Sequence, residues 1–327
     1  MKKYVFLILN YRTCDETKKC IASIDHLTCR DGEKTAVIVD NASGDGSYER
    51  LKKEYQNRSD IHVILNERND GFSKGNNFGY TYITEHLDPD FILMINSDIE
   101  IRQKDFLIKV SELYEKSKFS VLGPDVYAFR MNLHQSPIKK HIRDIEETRQ
   151  EFEKEQNLLE LYRKQEKENL VRVKDSRKDR MMEFLIRSGR KLGIDRLNWK
   201  KLPYWKEHED VMLHGSALIF SELYIKKYSV CLYPMPFYYG EEDLMYLKCM
   251  RNQDKLLYSP KIKVYHSAGA SATNAKGGLK TVKREIFRYE NLTATKELYM
   301  EAFADPHYFD VSMREEGKEV RYAQTDQ

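Results

Sequence analysis

Apolar and polar positions follow two rhythms along the first hundred residues. Unbroken apolar runs at 4–9, 36–39, 62–65 and 91–95 are separated by stretches in which apolar residues return every three or four positions. Short unbroken runs predict strands covered on both faces, and the 3.6-residue spacing between them predicts crossover helices. Thr13-Cys14-Asp15-Glu16 has the form of a capping box, ahead of Cys20, Ile21 and Ile24 at helical spacing. The pattern therefore predicts an α/β fold with a mostly parallel sheet and helices on both sides. Such sheets bind ligands beyond the carboxyl ends of their strands, so the residues after each run carry the candidate chemistry.

The first run ends at Asn10. The second ends in Asp40-Asn41-Ala42-Ser43-Gly44-Asp45-Gly46-Ser47, a tight loop whose carboxylates can accept from a nucleotide base or ribose. A plain strand-to-helix turn would need the same Gly and Asp for backbone geometry alone. After the third run comes Asn69-Asp70-Gly71-Phe72-Ser73-Lys74-Gly75-Asn76-Asn77-Phe78-Gly79. Its glycines permit close backbone approach, Lys74 offers a cation to phosphate, and Asn76 and Asn77 stand where a helix begins. The Gly-Lys-Ser/Thr ending of a Walker motif is missing. The fourth run leads straight into Asn96-Ser97-Asp98, which either offers oxygen ligands to a metal and a diphosphate at the mouth of a cleft or forms an ordinary turn after the strand.

Beyond residue 137 the pattern changes. Ile145, Phe152 and Leu159 recur every seven residues, beside Ile142 and Tyr162, in an otherwise charged stretch from 138 to about 180. This predicts one long helix with a narrow apolar stripe, laid over the domain or paired with another chain in an oligomer. From Arg172 to Lys206, twelve Lys/Arg stand against four Asp/Glu, and from 181 Met, Trp and Tyr residues interleave with them. Such a segment suits an anionic membrane surface, or packing onto its own domain, and matches no nucleic-acid module. The apolar stretch 212–220 predicts a strand that carries His214 and Gly215. Phe237-Tyr238-Tyr239-Gly240-Glu241-Glu242-Asp243-Leu244 is a second acidic focus. Crowded carboxylates raise one another's pKa, as a general base needs, although a helix start also attracts acids. Residues 261–266 predict a late strand ending at His266, a helix follows from 281, and the chain closes on a polar tail.

Three of these segments, 37–43, 69–79 and 93–98, resemble in order and spacing the family 2 glycosyltransferases, in particular their rhamnosyltransferase-like bacterial branch. The resemblance runs over about residues 3–130 and resumes near 211–270. It implies a GT-A fold, a nucleotide-diphosphate sugar donor, Mg²⁺ or Mn²⁺, and an inverting transfer. Asp98 becomes the metal-side acid, with Asn96 and His266 as further ligands, and Asn96 stands where aspartate is more usual. The donor side is expected to comprise Asn10, Asp40, Asn41, Asp45, Gly71, Phe72, Lys74, Asn76, Asn77, Asn96 and Ser97. Glu242 aligns with the family's catalytic base, Asp243 is the alternative one residue away, and His214, Gly215 and Glu241 fall on the acceptor side.

Composition sets the remaining bounds. The 327-residue chain is 33% charged with a net charge of +3, and its first apolar run is far shorter than the roughly 20 residues of a bilayer span. Five cysteines form no Cys-x-x-Cys, which fits a reducing cytoplasm, with the inner face of the cell membrane as a peripheral site. The expected division is a nucleotide-sugar half over 1–137, an insertion over 138–210, an acceptor half over 211–305 and a tail over 306–327. The expected acceptor is a glycan or lipid-linked sugar in cell-surface polysaccharide synthesis, with no nucleic-acid partner. A nucleotidyltransferase would instead need a Gly-rich, Arg-bearing loop where this chain has Asn10-Tyr11-Arg12-Thr13. A non-catalytic partner in a polysaccharide assembly complex would keep the fold and need no base.

Overall fold

The four early apolar runs are strands β1 (Lys2–Asn10), β2 (Gly32–Asn41), β3 (Ile61–Asn66) and β4 (Phe91–Asn96), joined by helices α1 (Cys14–Asp25), α2 (Ser47–Tyr55) and α3 (Gly71–His86). The computed structural model describes residues 1–30, 32–173, 202–235, 237–267 and 281–309. β1 pairs in parallel with β2 and β4, and β2 with β3. Alternate side chains of β1 enter opposite cores. Val5 and Leu7 meet Tyr80 and Ile83 of α3, while Tyr4, Phe6 and Ile8 meet Ile21 and Ile24 of α1, Leu51 of α2, and Phe106 and Val110 of helix α4 (Phe106–Ser117). Burial on both faces is why β1, β2 and β4 read as unbroken apolar runs, whereas the edge strand β3 is mostly half-buried.

The second half adds β5 (Ile99–Glu100), β6 (Val121–Ala128), β7 (Leu133–His134), α5 (Ile145–Lys167), β8 (His208–Glu209), β9 (Ala217–Ser221), α6 (Glu222–Lys227), α7 (Glu241–Arg251), β10 (Leu256–His266) and α8 (Val282–Ala304). Among the described residues, ten strands share one sheet in the order β3-β2-β1-β4-β9-β6-β10-β5, with β7 beside β6 and β8 beside β10. β9 runs antiparallel between β4 and β6, and β10 returns parallel to β6. That insertion assembles the site. Ala217 lies across from Ile95, which places the 214–216 segment against Asn96, and His266 lies across from Ile99 just after Asp98.

Several sequence expectations need correction. The strand expected over 212–220 begins only at Ala217, because Met212 instead exchanges backbone hydrogen bonds with Ile138 and Lys139. The capping box expected at Thr13 is not formed; its hydroxyl goes to Asn10 and Ser97. The long helix does not start at 138, since Asp144 and Glu147 form a genuine capping box that starts α5 at Ile145. Its stripe packs on this chain's own α8: Leu159 and Tyr162 are buried, Tyr162 stacks on Tyr289, and Arg163 pairs with Glu290.

Of the basic aromatic segment, Leu202 and Tyr204 pack against the first core and Tyr204 stacks on His134. The remainder of that segment up to residue 201, and the tail beyond 309, lie outside the described residues. No helix among the described residues is long and apolar enough to cross a membrane.

Candidate active site

β1 to β4 all end on asparagine, at positions 10, 41, 66 and 96, and the first three are tied into a polar network rather than left for a ligand. Asn10, fully buried, donates to Asp40 at 2.7 Å and to Ser43 at 3.2 Å while accepting from Thr13 and Thr17. Asn41 donates to Asn69 and to the Gly71 carbonyl and accepts from Asn66. These side chains satisfy buried backbone and side-chain groups at the strand ends, as burial requires. Asn10 and Asn41 therefore brace the strand ends from within. Asn76 bonds the Phe72 carbonyl within its own helix. Asn77 receives the backbone N–H groups of Cys231 and Leu232 and donates to the Leu232 carbonyl, so its amide is fully consumed in the core.

Asp40 accepts from Asn10, the Ser43 hydroxyl and the Ser43 N–H, which accounts for three of the roughly four acceptor positions a carboxylate offers. It lies at the floor of a cleft of about 650 Å³ walled by Ala42, Gly44, Gly46, Ser47, Tyr48, Glu49, Leu65 and Glu67. Asp45 is exposed and holds the first turn of α2 through the Ser47 N–H and hydroxyl, which keep its carboxyl below the ordinary range against the opposing effect of burial. Tyr48, Leu65 and Glu67 were not foreseen. The only signal for Leu65 is its place at a strand's carboxyl end, where it is 41% exposed.

The glycines of the 69–79 loop serve packing. Gly71 has a φ of 80°, and a Cβ there would lie 2.2 Å from the Phe237 carbonyl; the close approach is to that segment. A Cβ at Gly75 or Gly79 would strike Leu9 or Leu7 of β1. Phe72 packs edge-on against Tyr238, and its N–H donates to Phe237. Lys74 is half-buried at the same helix start.

Asp98 and His266 come together as expected, with Nε2 3.2 Å from Oδ1. His266 Nδ1 lies 2.7 Å from the Gln135 side-chain oxygen and donates to it, which fixes the ring with Nε2 toward the carboxylate. Asn96 is half-exposed two residues away, and the Ser97 hydroxyl is engaged with Thr13. Among the described residues, no three His, Cys, Asp or Glu side chains form a complete ion cage. One carboxylate, one imidazole and one amide oxygen fit an ion whose other ligands come from phosphate oxygens and water.

His214 takes the Ser216 N–H on Nδ1 at 3.2 Å, and burial, with His266 6.0 Å away ring to ring, pushes its pKa down to about 3. It is a neutral imidazole. The Gly215 N–H donates to Glu242 at 3.1 Å, and a Cβ at Gly215 would sit 3.0 Å from the same oxygen, so glycine allows the acid to approach.

The three acids of α7 have separate environments. Glu241 is buried with one oxygen unpartnered, and burial followed by the charge of Glu242 pushes its pKa well above the ordinary range. Asp243 pairs with Lys139 at 3.0 Å and closely with Arg143; burial alone would push its pKa up, but these two cations hold it down. Glu242 has no cation partner among the described residues. Its pKa is pushed up by burial, against the Gly215 N–H, and the residue as a whole is half-buried. Of the two candidates, Glu242 alone has a raised pKa, because Asp243 is already committed to two cations.

The model of glycosyl transferase family 2 matches residues 6–176, just over half of the sequence. The chain belongs to this family. Low-salt glycan biosynthesis hexosyltransferase Agl10 of Haloferax volcanii is 27% identical to this chain over 120 residues, which is 37% of this chain and 35% of Agl10. The match thus spans about a third of that relative. S. aureus TarS 1-349, solved with UDP-GlcNAc, superposes with a TM-score of 0.52 at 14% identity, over 95% of this chain and 74% of that chain. GalNAc-T7, solved with UDP, GalNAc and Mn²⁺, also gives 0.52 at 13% identity, over 81% and 44% of the two chains. The chain has the GT-A fold that the resemblance implied.

Proposed function

We propose that this transferase moves a sugar from a nucleoside diphosphate sugar to a hydroxyl of a saccharide acceptor, with inversion at the anomeric carbon. The observation that carries the reading is the separation of the three α7 acids into one buried with an unpartnered oxygen, one paired with two cations, and one bonded by the Gly215 N–H with no cation partner among the described residues. Glu242 takes the proton of the acceptor hydroxyl as that oxygen attacks the anomeric carbon. The bond to the diphosphate breaks on the opposite face, and the nucleoside diphosphate leaves with the electron pair. One ionisable base serves such a single displacement.

The 650 Å³ cleft over Asp40 takes the nucleoside, and the α3 start with Lys74 faces the phosphates. Asp98, His266 and Asn96 would hold Mg²⁺ or Mn²⁺, which supplies charge stabilisation for the leaving diphosphate. The structural neighbours solved with UDP-GlcNAc and with UDP and Mn²⁺ support a donor and an ion of these classes.

For the acceptor we propose a lipid-linked or growing cell-surface glycan, met at the inner face of the cell membrane. Next to the acid helix, Phe237 and Phe287 are 40% and 42% exposed and lie edge to face at 6.1 Å, with Tyr238 beside them and Arg284 and Arg288 on the same helix as Phe287. Rings and cations together suit an acceptor with both apolar and phosphate parts. Rhamnose belongs in the donor panel alongside glucose, galactose and their N-acetyl forms. The test is release of nucleoside diphosphate from that panel with Mn²⁺ or Mg²⁺ present. Turnover of one donor is expected, and saturable donor binding without turnover in the presence of any glycan acceptor would favour a non-catalytic partner.

A further inference from the structure

Residues 135–143 form a strap that touches both ends of the site. At one end the Gln135 side-chain oxygen accepts from His266, and the Gln135 N–H is anchored to the Val126 carbonyl. In the middle, Ile138 and Lys139 exchange backbone hydrogen bonds of 2.9 and 2.8 Å with Met212, three residues before the Gly215 that holds Glu242. At the far end, Lys139 and Arg143 grip Asp243, the residue after Glu242. Arg143 is itself braced: it pairs with Glu151 of α5, and its carbonyl accepts from Tyr299 of α8 at 3.0 Å. Glu151 and Glu155 are in turn bridged by Lys296 of α8 at 3.3 and 3.4 Å. The charged insertion, in which the sequence shows no chemistry, thus delivers two cations to the first turn of the acid helix.

We propose that Lys139 and Arg143 are positioning residues for the transfer: by holding Asp243 they fix the first turn of α7 and cancel the charge next to Glu242, leaving one carboxylate for the acceptor hydroxyl. This rests on Glu242 as the base. Glu241 and Asp243 flank Glu242 on its own helix, His214 neighbours the Gly215 that bonds it, Lys139 and Arg143 reach it through Asp243, and His266 and Asp98 lie beyond His214. Burial disfavours the charged forms of Glu241 and His214. Asp243 is therefore the charge that the strap must balance, and unbalanced it disfavours ionisation of Glu242.

The experiment is the pH profile of kcat/KM in the full chain for wild type, Arg143→Met, Lys139→Met and Arg143→Met with Asp243→Asn, alongside calorimetric donor binding. Each single loss of a cation is expected to move the acidic limb to higher pH by up to about one unit, a rate loss of up to about tenfold at fixed pH below the limb. Adding Asp243→Asn is expected to move the limb back. A uniform fall in rate with the limb unmoved would overturn the proposal and leave the strap as packing. Should Arg143→Met fail to fold, Asp243→Asn alone must move the limb to lower pH, and an unmoved limb again overturns it. Glu242→Gln separates the underlying reading: if that variant retains wild-type turnover and the wild-type limb, it is the base assignment that fails.

Discussion

Glu242→Gln is the sharpest perturbation the structure offers. Glutamine has the same length, and its amide oxygen can still accept the Gly215 N–H that Glu242 accepts at 3.1 Å, so the α7 start and its contact to the 214–216 segment are retained. Only the ability to take a proton is lost. A positioned general base is worth about 10²–10⁴ in rate, or about 3–5 kcal/mol of transition-state stabilisation. The donor cleft is walled by residues of 40–49 together with 65 and 67, none of which is Glu242. Transfer by Glu242→Gln is therefore expected to fall by about 10²–10⁴ in kcat, with the donor Kd within about twofold by calorimetry. Because burial pushes the Glu242 pKa up, the wild-type rate should climb with pH through a value above the ordinary carboxylate range, and the variant should lose that limb. Asp243→Asn should keep turnover, since Asp243 is engaged with Lys139 and Arg143. Full turnover by Glu242→Gln with Asp243→Asn inactive would refute the assignment.

Glu241 gives a stability signature with a definite sign. Its folded pKa is raised by burial and then by Glu242, so its stabilising share is present at low pH and is lost as pH rises through the folded value. Glu241→Gln should flatten the decline of the urea midpoint as pH rises above the ordinary Glu value of 4.5, and parallel curves for the two proteins would contradict the raised pKa of the buried acid. For the ion site, Asp98→Asn removes the only carboxylate of the Asp98, His266 and Asn96 set, so Mn²⁺ binding measured by electron paramagnetic resonance in the presence of nucleoside diphosphate should weaken at least tenfold. Undiminished Mn²⁺ binding would place the ion elsewhere.

The parts of the fold legible in the sequence are those where one local rule suffices. β1, β2 and β4 are buried on both faces and show as continuous apolar runs, and Asp98 and Glu242 stand out because an acid follows a strand or crowds other acids. β6 does not show, because Gly123 and Pro124 interrupt it. The structure accommodates Pro124, which has no N–H, at the point where the facing β10 register jumps from Ser259 to Lys263. That partner lies more than a hundred residues away in the chain. The same distance hides the strap: nothing near Lys139 or Arg143 announces Asp243.

Polarity at the strand ends divides into two physical kinds, and composition cannot tell them apart. Asn10, Asn41 and Asn77 look like ligand contacts because a buried asparagine must bond something, and in this fold that something is the backbone and side chains of neighbouring segments. Their internal bonds make the proposed donor wall a preset surface. Glu241 and Glu242 are the opposite case, since burial leaves them with too few donors and keeps their pKa values high. A site that must accept a proton needs such unmet demand beside a wall that has none. The Gly215 N–H sits at the boundary between the two, as a backbone donor that reaches Glu242 from the 214–216 segment. That hydrogen bond aims the carboxylate without neutralising it, whereas Lys139 and Arg143 meet Asp243 as cations, and this difference makes adjacent acids unequal.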